Sequence, residues 1–369
     1  MVASIISTLF FALVTWSGAA SGTDNRKTTD VTWDKYSLSI IGKPLLCCLA
    51  RITRKCVLSG PTDYNNVGGA VDIDAVFYDG CESSLSIEFA AVYSKNDIGS
   101  HITMLGIYMT FGGTNWGHVA ALVCASYGYT TMLRETGEAR DKMKQTKFIG
   151  LFACISTDLF KTEMEGNGTS YTGNNKIFTW VLRNPDTDAG FYAMAPEDTS
   201  TRATAKFALN LKTSYGQISI PDVQLDGRQS KIILTDYQFG NSTFLYSSAE
   251  VASYANLDVD VLVPCLTEES SPSRTLGSSD LTISSSGKNG LSYLCTQGEC
   301  IAAVKFSSSP LIYLLDKHTA WNFFAPPTTS NPPVAPNEHI SVIGPCLVRN
   351  AYVQGDSVEI VGGDQNHAP

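Results

Sequence analysis

Charged side chains are scarce in this sequence, which limits what the protein can bind. Asp, Glu, Lys and Arg make up 17% of the 369 residues, against about 25% in an average soluble domain. Basic residues are the scarcer kind: 26 Lys and Arg stand against 35 Asp and Glu, so the formal net charge is -9. Nucleic-acid binding needs a basic surface that neutralises phosphates. The composition therefore argues against a nucleic-acid-binding protein.

Histidine is also rare, and the cysteines lack the spacing of a metal site. The five histidines are isolated, and no Cys-x-x-Cys pair occurs among the ten cysteines, so we expect no metal and no cofactor. Ten cysteines spread over a long chain fit an oxidising compartment. Cys295 and Cys300 are close enough to close a small disulfide loop, whereas a bridge between the adjacent Cys47 and Cys48 would be strained.

Long hydrophobic runs are absent. A transmembrane helix needs about 20 apolar residues, and the run from Ile5 to Trp16 is shorter. Because small residues follow it, we interpret it as a signal peptide, residues 1–22, cleaved between about Ala19 and Gly22. We therefore expect a secreted, extracellular protein that does not interact with membranes. Asn167 (NGT) and Asn241 (NST) are predicted glycosylation sites in polar, turn-like stretches.

The first half of the chain mixes strand and helix patterns. Val31 to Ile41 alternates like a strand, and Ile102 to Phe111 is a continuous apolar run typical of a strand buried on both faces. Glu88 to Ser94 and Arg134 to Phe152 have helix-favouring composition. The stretch from Pro44 to Gly60 has no clean period. These patterns predict an α/β region over residues 23–150.

The second half predicts an all-β domain. Short alternating segments are separated by Asn, Gly, Asp and Ser clusters every 8–12 residues or so, as in an antiparallel β-sandwich. We place this domain at residues 151–325, a proline-rich linker at 326–339, and the start of a further β domain at 340–369. The predicted fold class is mainly β, an antiparallel β-sandwich preceded by a partial α/β region.

Two strings could carry function. In Tyr108 to Gly117 (YMTFGGTNWG), a buried strand ends at a Gly-Gly turn and then presents Asn115 and Trp116. An amide beside an indole face can hold a sugar ring, but the same pattern also fits a core strand with a buried Trp. The string ASYGYTT places Tyr127 and Tyr129 on one side of an extended segment.

These strings resemble the end of the catalytic barrel in fungal β-galactosidases of glycoside hydrolase family 35. Asp30 to Lys43 resembles the family's lead-in to its first barrel strand, and Glu88 to Asp97 resembles the helix before its last one. Residues 169–325 resemble the β-domain after the barrel. The resemblance implies retaining hydrolysis of terminal β-galactosides, in which two glutamates act as acid/base and nucleophile with carboxyls about 5–5.5 Å apart.

Neither glutamate context of that family occurs in this sequence. The acid/base would lie in Asn-Glu-Tyr, but Glu338 is followed by His339 and lies in the proline-rich linker. The nucleophile would lie in Leu-Glu-Phe-Gln. Glu88 is followed by Phe89, yet it matches the family's helix, so we interpret it as a surface helical residue. We expect no identifiable catalytic residue.

The predicted barrel region is also short. A (β/α)₈ barrel typically needs about 250 residues, and about 120 lie between Asp30 and Gly150. By resemblance, Tyr78 and Tyr129 match galactose-contacting tyrosines, and Cys81 matches a disulfide cysteine. A β-galactoside or plant cell-wall galactan is the expected ligand, if any binds.

Three hypotheses follow: an active secreted β-galactosidase, a non-catalytic β-sandwich relative with or without sugar contact, or the product of an incorrect gene model in which residues 44–87 are not genuine coding sequence. We also expect residues 169–325 to fold largely independently of what precedes them, and the earlier residues to form an open α/β layer.

Overall fold

The computed structural model describes residues 31–33, 38–40, 43–45, 47–49, 87–102, 104–106, 110–111, 131–199, 201–256, 260–266, 281–283, 293–295, 301–305, 311–326, 340–343, 347–355 and 357–363. No helix within these ranges is long and apolar enough to cross a membrane.

The region before residue 162 contains short strands and the two longest helices. Its elements are β1 (Val31–Trp33), β2 (Leu38–Ile40), β3 (Lys43–Leu45), β4 (Cys47–Leu49), α1 (Ile87–Gly99), β5 (Met104–Gly106), α2 (Asp141–Ile155) and a 3₁₀ helix (Thr157–Lys161). Strands β1, β2 and β3 form an antiparallel sheet, and β4 pairs in parallel with β5. This region is the predicted partial α/β layer.

The central region is built from seven antiparallel strands, which are β6 (Glu163–Gly168), β7 (Ile177–Arg183), β8 (Gly190–Pro196), β9 (Ala205–Thr213), β10 (Gly216–Leu225), β11 (Lys231–Phe239) and β12 (Ser242–Tyr246). Five of them form one sheet in the order β12-β11-β8-β7-β6, and β9 pairs with β10. All seven residues of β8 are buried. Phe191 packs with a cluster on one face of the sheet, whereas Tyr192 and Met194 pack with a second cluster on the other face.

The two faces of this sheet are covered by different parts of the chain. The β9–β10 hairpin covers one face, where Leu209 and Leu211 are buried. Helices α1 and α2 cover the other face, where Val92 and Phe152 join the cluster around Trp180. Residues from before position 169 thus cover one face of the main sheet. The independent folding of residues 169–325 stays a prediction.

The remaining chain adds smaller sheets. Its elements are β13 (Glu250–Asn256), β14 (Asp260–Leu266), β15 (Leu281–Ile283), β16 (Tyr293–Cys295), β17 (Ile301–Lys305), β18 (Leu311–Asp316), α3 (Lys317–Trp321), β19 (Phe323–Phe324), β20 (Val342–Ile343), β21 (Leu347–Gln354) and β22 (Ser357–Gly363). A four-stranded sheet has the order β13-β14-β18-β17, and its β14–β18 pair is parallel. The described chain is thus mainly antiparallel strand with a short helical part near its beginning, which confirms the predicted fold class.

Element boundaries differ from the sequence predictions in three places. The predicted strand over Val31 to Ile41 is two strands, because Trp33 pairs antiparallel with Leu38. Within Ile102 to Phe111, the described strand is β5, which covers Met104–Gly106. The helix predicted from Arg134 begins at Asp141, because the preceding residues turn at Gly137, whose φ of 82° is left-handed.

Candidate functional site

The predicted sugar-contacting residues belong to segments outside the described ranges. Tyr78 and Tyr129 lie outside the described residues, as do Cys81, Asn115 and Trp116. The predicted glycosylation residues are described: Asn167 lies in β6 and Asn241 in the turn between β11 and β12, and both are exposed. Their glycosylation stays a prediction.

Glu88 lies in the first turn of α1, so the helix predicted there is confirmed. The structure corrects its description as a plain surface residue, because Glu88 is half-buried and lines a small cavity. A carboxylate in the first turn is stabilised by the positive end of the helix dipole, which gives Glu88 a structural reason to be there.

The cavity lies where α1 and α2 meet β13, α3 and the turn that precedes β11. It is lined by Ile87, Glu88, Ala91, Lys95, Gln145, Phe148, Arg228, Gln229, Ser230, Glu250 and Trp321. Its volume is about 40 Å³, and a buried water needs roughly 10–15 Å³. The cavity therefore has room for a few water molecules but not for a sugar ring.

Glu250, the second carboxylate of the cavity, is fully engaged. Its oxygens lie 2.7 Å from Lys95 Nζ, and one of them accepts a hydrogen bond of 2.8 Å from the amide of Ile232. Lys95 also donates to the carbonyl of Ser230 at 2.9 Å. Because both carboxylate oxygens of Glu250 are bound to donors in a buried position, this residue is committed to holding α1 against the sheets.

Trp321 closes one side of the cavity. Its indole N–H donates to Oε1 of Gln145 at 2.8 Å, and its carbonyl accepts a hydrogen bond of 2.7 Å from Lys147. The ammonium of Lys147 also lies 3.4 Å from the centre of the Phe324 ring, a cation–π contact. These contacts attach α3 and β19 to α2.

Asp97 is another buried acid that the sequence analysis did not identify, in addition to Glu250. Asp97 is 3% exposed, and its Oδ2 atom has no hydrogen-bond partner among the described residues. Desolvation by burial raises its pKa from 3.8 to about 7. Asp97 is not among the residues that line the cavity, so these observations describe an isolated buried carboxyl rather than half of a catalytic pair.

A charged network ties β6, β7, β8 and β9 together. Arg183 donates through Nε to Glu165, through one terminal nitrogen to the carbonyl of Asp188, and through the other to Oη of Tyr192. Although burial acts to raise the pKa of Glu165, hydrogen bonds from Arg183 and Lys212 lower it. This carboxylate is therefore held ionised as part of a structural cross-link.

The described residues contain no group of three or more His, Cys, Asp and Glu side chains that could hold a metal ion.

Comparisons with known proteins divide the chain into two matched parts. A family model described as "Glycosyl hydrolases family 35" matches residues 76–150, and one described as "Beta-galactosidase, domain 2" matches residues 159–323. The first matched part contains α1, β5 and the beginning of α2, and the second contains the strands from β6 to β18 and α3.

Individual relatives are fungal proteins named probable beta-galactosidase C. The protein of Aspergillus clavatus is 59% identical over 303 residues, 78% of this chain and 31% of the relative. That of Aspergillus flavus is 58% identical over 304 residues, 79% of this chain and 31% of the relative. That of Talaromyces marneffei is 52% identical over 305 residues, 79% of this chain and 30% of the relative. The chain thus spans under a third of the length of these relatives.

Proposed function

The chain belongs to glycosyl hydrolases family 35, and from that membership we propose that it is a secreted, β-galactosidase-like protein that does not itself hydrolyse β-galactosides. The observation that carries this proposal is that the carboxylates at the described cavity have neither a free partner carboxylate nor space for a sugar beside them. Glu250 forms a salt bridge with Lys95, and the cavity that both line together with Glu88 has room for only a few water molecules.

The chemistry of retaining glycosidases supports the proposal. One carboxyl must protonate the leaving group and a second must attack the anomeric carbon from the opposite side, with the sugar held between them. Each acid or base contributes typically 10²–10⁴-fold to the rate. A carboxylate bound to a lysine and a backbone amide, beside a space too small for the sugar, can perform neither step.

The length of the barrel match also supports the proposal. The family 35 model matches residues 76–150, whereas a closed (β/α)₈ barrel rarely has fewer than about 200 residues. Catalytic residues of such barrels come from the ends of several different strands. A matched segment of this length can contain only a few of the barrel strands whose ends carry catalytic residues.

Hydrolysis of a chromogenic β-galactoside by the purified chain tests the proposal. The full chain is produced in a host without its own β-galactosidase, and we expect no hydrolysis. Glu197→Gln changes an exposed carboxylate of the β-sandwich and is the control. If the parent hydrolyses the substrate, and this activity is lost in Glu88→Gln but kept in Glu197→Gln, the proposal is overturned and Glu88 is catalytic. Activity unchanged in both variants would equally contradict it.

Sugar binding without hydrolysis is a second candidate function. Both Tyr78 and Tyr129 fall inside the segment matched by the family 35 model, and by resemblance each contacts galactose. A β-galactoside or cell-wall galactan would be the ligand. Calorimetric titration with galactose tests this function: heat that is present in the parent and lost in Tyr129→Ala supports it, and an absence of heat in the parent rejects it.

Secretion and the reading frame have direct tests. N-terminal sequencing of protein from the culture medium should begin between Ala19 and Gly22 if residues 1–22 are a signal peptide. Comparing transcript with genomic sequence across residues 44–87 tests the alternative of an incorrect gene model. An intact frame that encodes a full barrel there would restore the enzyme hypothesis.

A further inference from the structure

The five-stranded sheet has two edge strands, and a predicted glycosylation site lies at each of them. β6 is the last strand at one edge and β12 at the other. Within the described ranges, β12 pairs with β11 alone and β6 with β7 alone. An edge strand presents unpaired backbone N–H and C=O groups that can pair with another chain.

Asn167 and Asn241 lie directly on these edges. Asn167 is part of β6, where it pairs with Trp180 of β7. Asn241 lies in the two-residue turn that joins β11 to β12, since Phe239 pairs with Ser242. Both asparagines are exposed. A glycan on either side chain would therefore leave the protein at the boundary of the sheet rather than at one of its covered faces.

The two edges differ in their own protection. β6 carries the exposed Glu163 as well as Glu165, whose carboxylate is bound by Arg183 and Lys212. A charge on an edge strand disfavours pairing with a second chain. β12 has the sequence Ser-Thr-Phe-Leu-Tyr, with no charge. Short segments of high β-propensity without charge or proline are those that associate edge to edge. The β12 edge therefore lacks the protection that the β6 edge has in its sequence.

We propose that an N-linked glycan on Asn241 shields the β12 edge and prevents this edge from pairing with a second copy of the chain. The glycan is bulky and hydrated, and its attachment point immediately precedes the strand. The glycan on Asn167 has no comparable role, because the adjacent edge already carries two carboxylates. This inference rests on secretion, which is part of the proposed function.

A matched pair of substitutions at Thr243 separates the glycan from the edge. Thr243 is the third residue of the Asn-Ser-Thr acceptor site and is exposed on β12, so both Thr243→Val and Thr243→Lys abolish glycosylation at Asn241. Only Thr243→Lys returns a charge to the edge. The full chain and both variants are secreted from a eukaryotic host, and Asn167→Gln is the control. Mass spectrometry of the glycopeptides reports the fraction of Asn241 that carries a glycan. Size-exclusion chromatography with light scattering then reports the oligomeric state.

We expect the parent, Asn167→Gln and Thr243→Lys to elute as monomers, and Thr243→Val to lose its monomer peak to dimers and larger species. An unglycosylated Asn241 in the secreted parent would overturn the inference while leaving secretion and the lack of hydrolysis intact. A monomeric Thr243→Val would overturn it too, as would equal association of Thr243→Val and Thr243→Lys. Failure of the parent to enter the medium would instead reject secretion itself.

Discussion

Lys95 of α1 and Glu250 of β13 form a buried salt bridge in which the ammonium and carboxylate lie 2.7 Å apart. Both side chains are 4% exposed. The pair joins two elements separated by 155 residues, one from the helical part of the chain and one from the β part. It therefore connects the β part of the chain directly to a helix that precedes it.

Removing one partner of this pair should be costly. Lys95→Met leaves the Glu250 charge buried and unpaired, and breaking a buried pair in this way costs about 3–5 kcal/mol. We expect a matching loss in the free energy of unfolding, measured by urea denaturation. Glu138→Gln breaks the partly exposed Arg134–Glu138 pair and should cost no more than about 1 kcal/mol. Equal losses of unfolding free energy in Lys95→Met and Glu138→Gln would show that the buried pair stabilises the protein no more than the partly exposed one.

Asp97 should make stability fall as the pH rises. Its pKa is raised from 3.8 to about 7 by burial, so the folded state binds a proton that the unfolded state releases. Stability should therefore decrease from about pH 4 to pH 7 and level off above. At about 1.4 kcal/mol per pKa unit, the effect is about 4 kcal/mol.

The variant Asp97→Asn removes this ionisation. Its stability advantage over the parent should grow between pH 4 and pH 7, as followed by urea denaturation across that range. Asp222→Asn changes an exposed carboxylate and provides the control, whose difference from the parent should stay nearly constant. An Asp97→Asn profile parallel to that of the parent would show that the carboxyl titrates normally.

Gly99 and Gly150 should respond in opposite directions to replacement by alanine. A Cβ at Gly99 would lie 2.8 Å from Cβ of Ala193 and 3.1 Å from Cβ of Trp180, and such overpacking costs about 1–3 kcal/mol. A Cβ at Gly150 in α2 would meet nothing within 4 Å, so Gly150→Ala should stabilise the helix by about 0.5–1 kcal/mol. Thermal unfolding followed by circular dichroism measures both; a stabilising Gly99→Ala would mean that α1 does not approach the sheet this closely.

Phe152→Ala should destabilise the β-sandwich although Phe152 lies in a helix. The side chain is 5% exposed and its ring centre lies 6.4 Å from that of Phe191 on β8. Truncating a buried Phe costs about 3–5 kcal/mol. We expect helix and sheet signals to be lost together at lower temperature in circular dichroism and tyrosine or tryptophan fluorescence. Separate transitions, with the sheet signal unchanged, would indicate that residues 169–325 fold on their own.

Local sequence patterns predicted most strands of the central region. The exception is β6, because its polar sequence around Asn167 was interpreted as turn-like. The alternation in AKFALNLKT becomes a strand whose buried and exposed positions alternate, because successive side chains of a strand point to opposite faces. The continuous apolar run GFYAMAP becomes a strand buried on both faces. The sequence also determined that neither glutamate context of the family is present, since a motif is a property of neighbouring residues alone.

Only the tertiary structure decided which polar residues are buried and which strands lie at the edges of the main sheet. Lys95 and Asp97 lie in the polar stretch Ser-Lys-Asn-Asp, whose sequence is that of a solvated helix end, yet both are buried. The partner of Lys95 is 155 residues away, and no local period can identify it. Strand order likewise places Asn241 beside β12, which pairs with β11 alone in the part of the chain that the structure describes. Periodicity fixes which side chains share a face, whereas long-range pairing of elements decides what, if anything, covers that face.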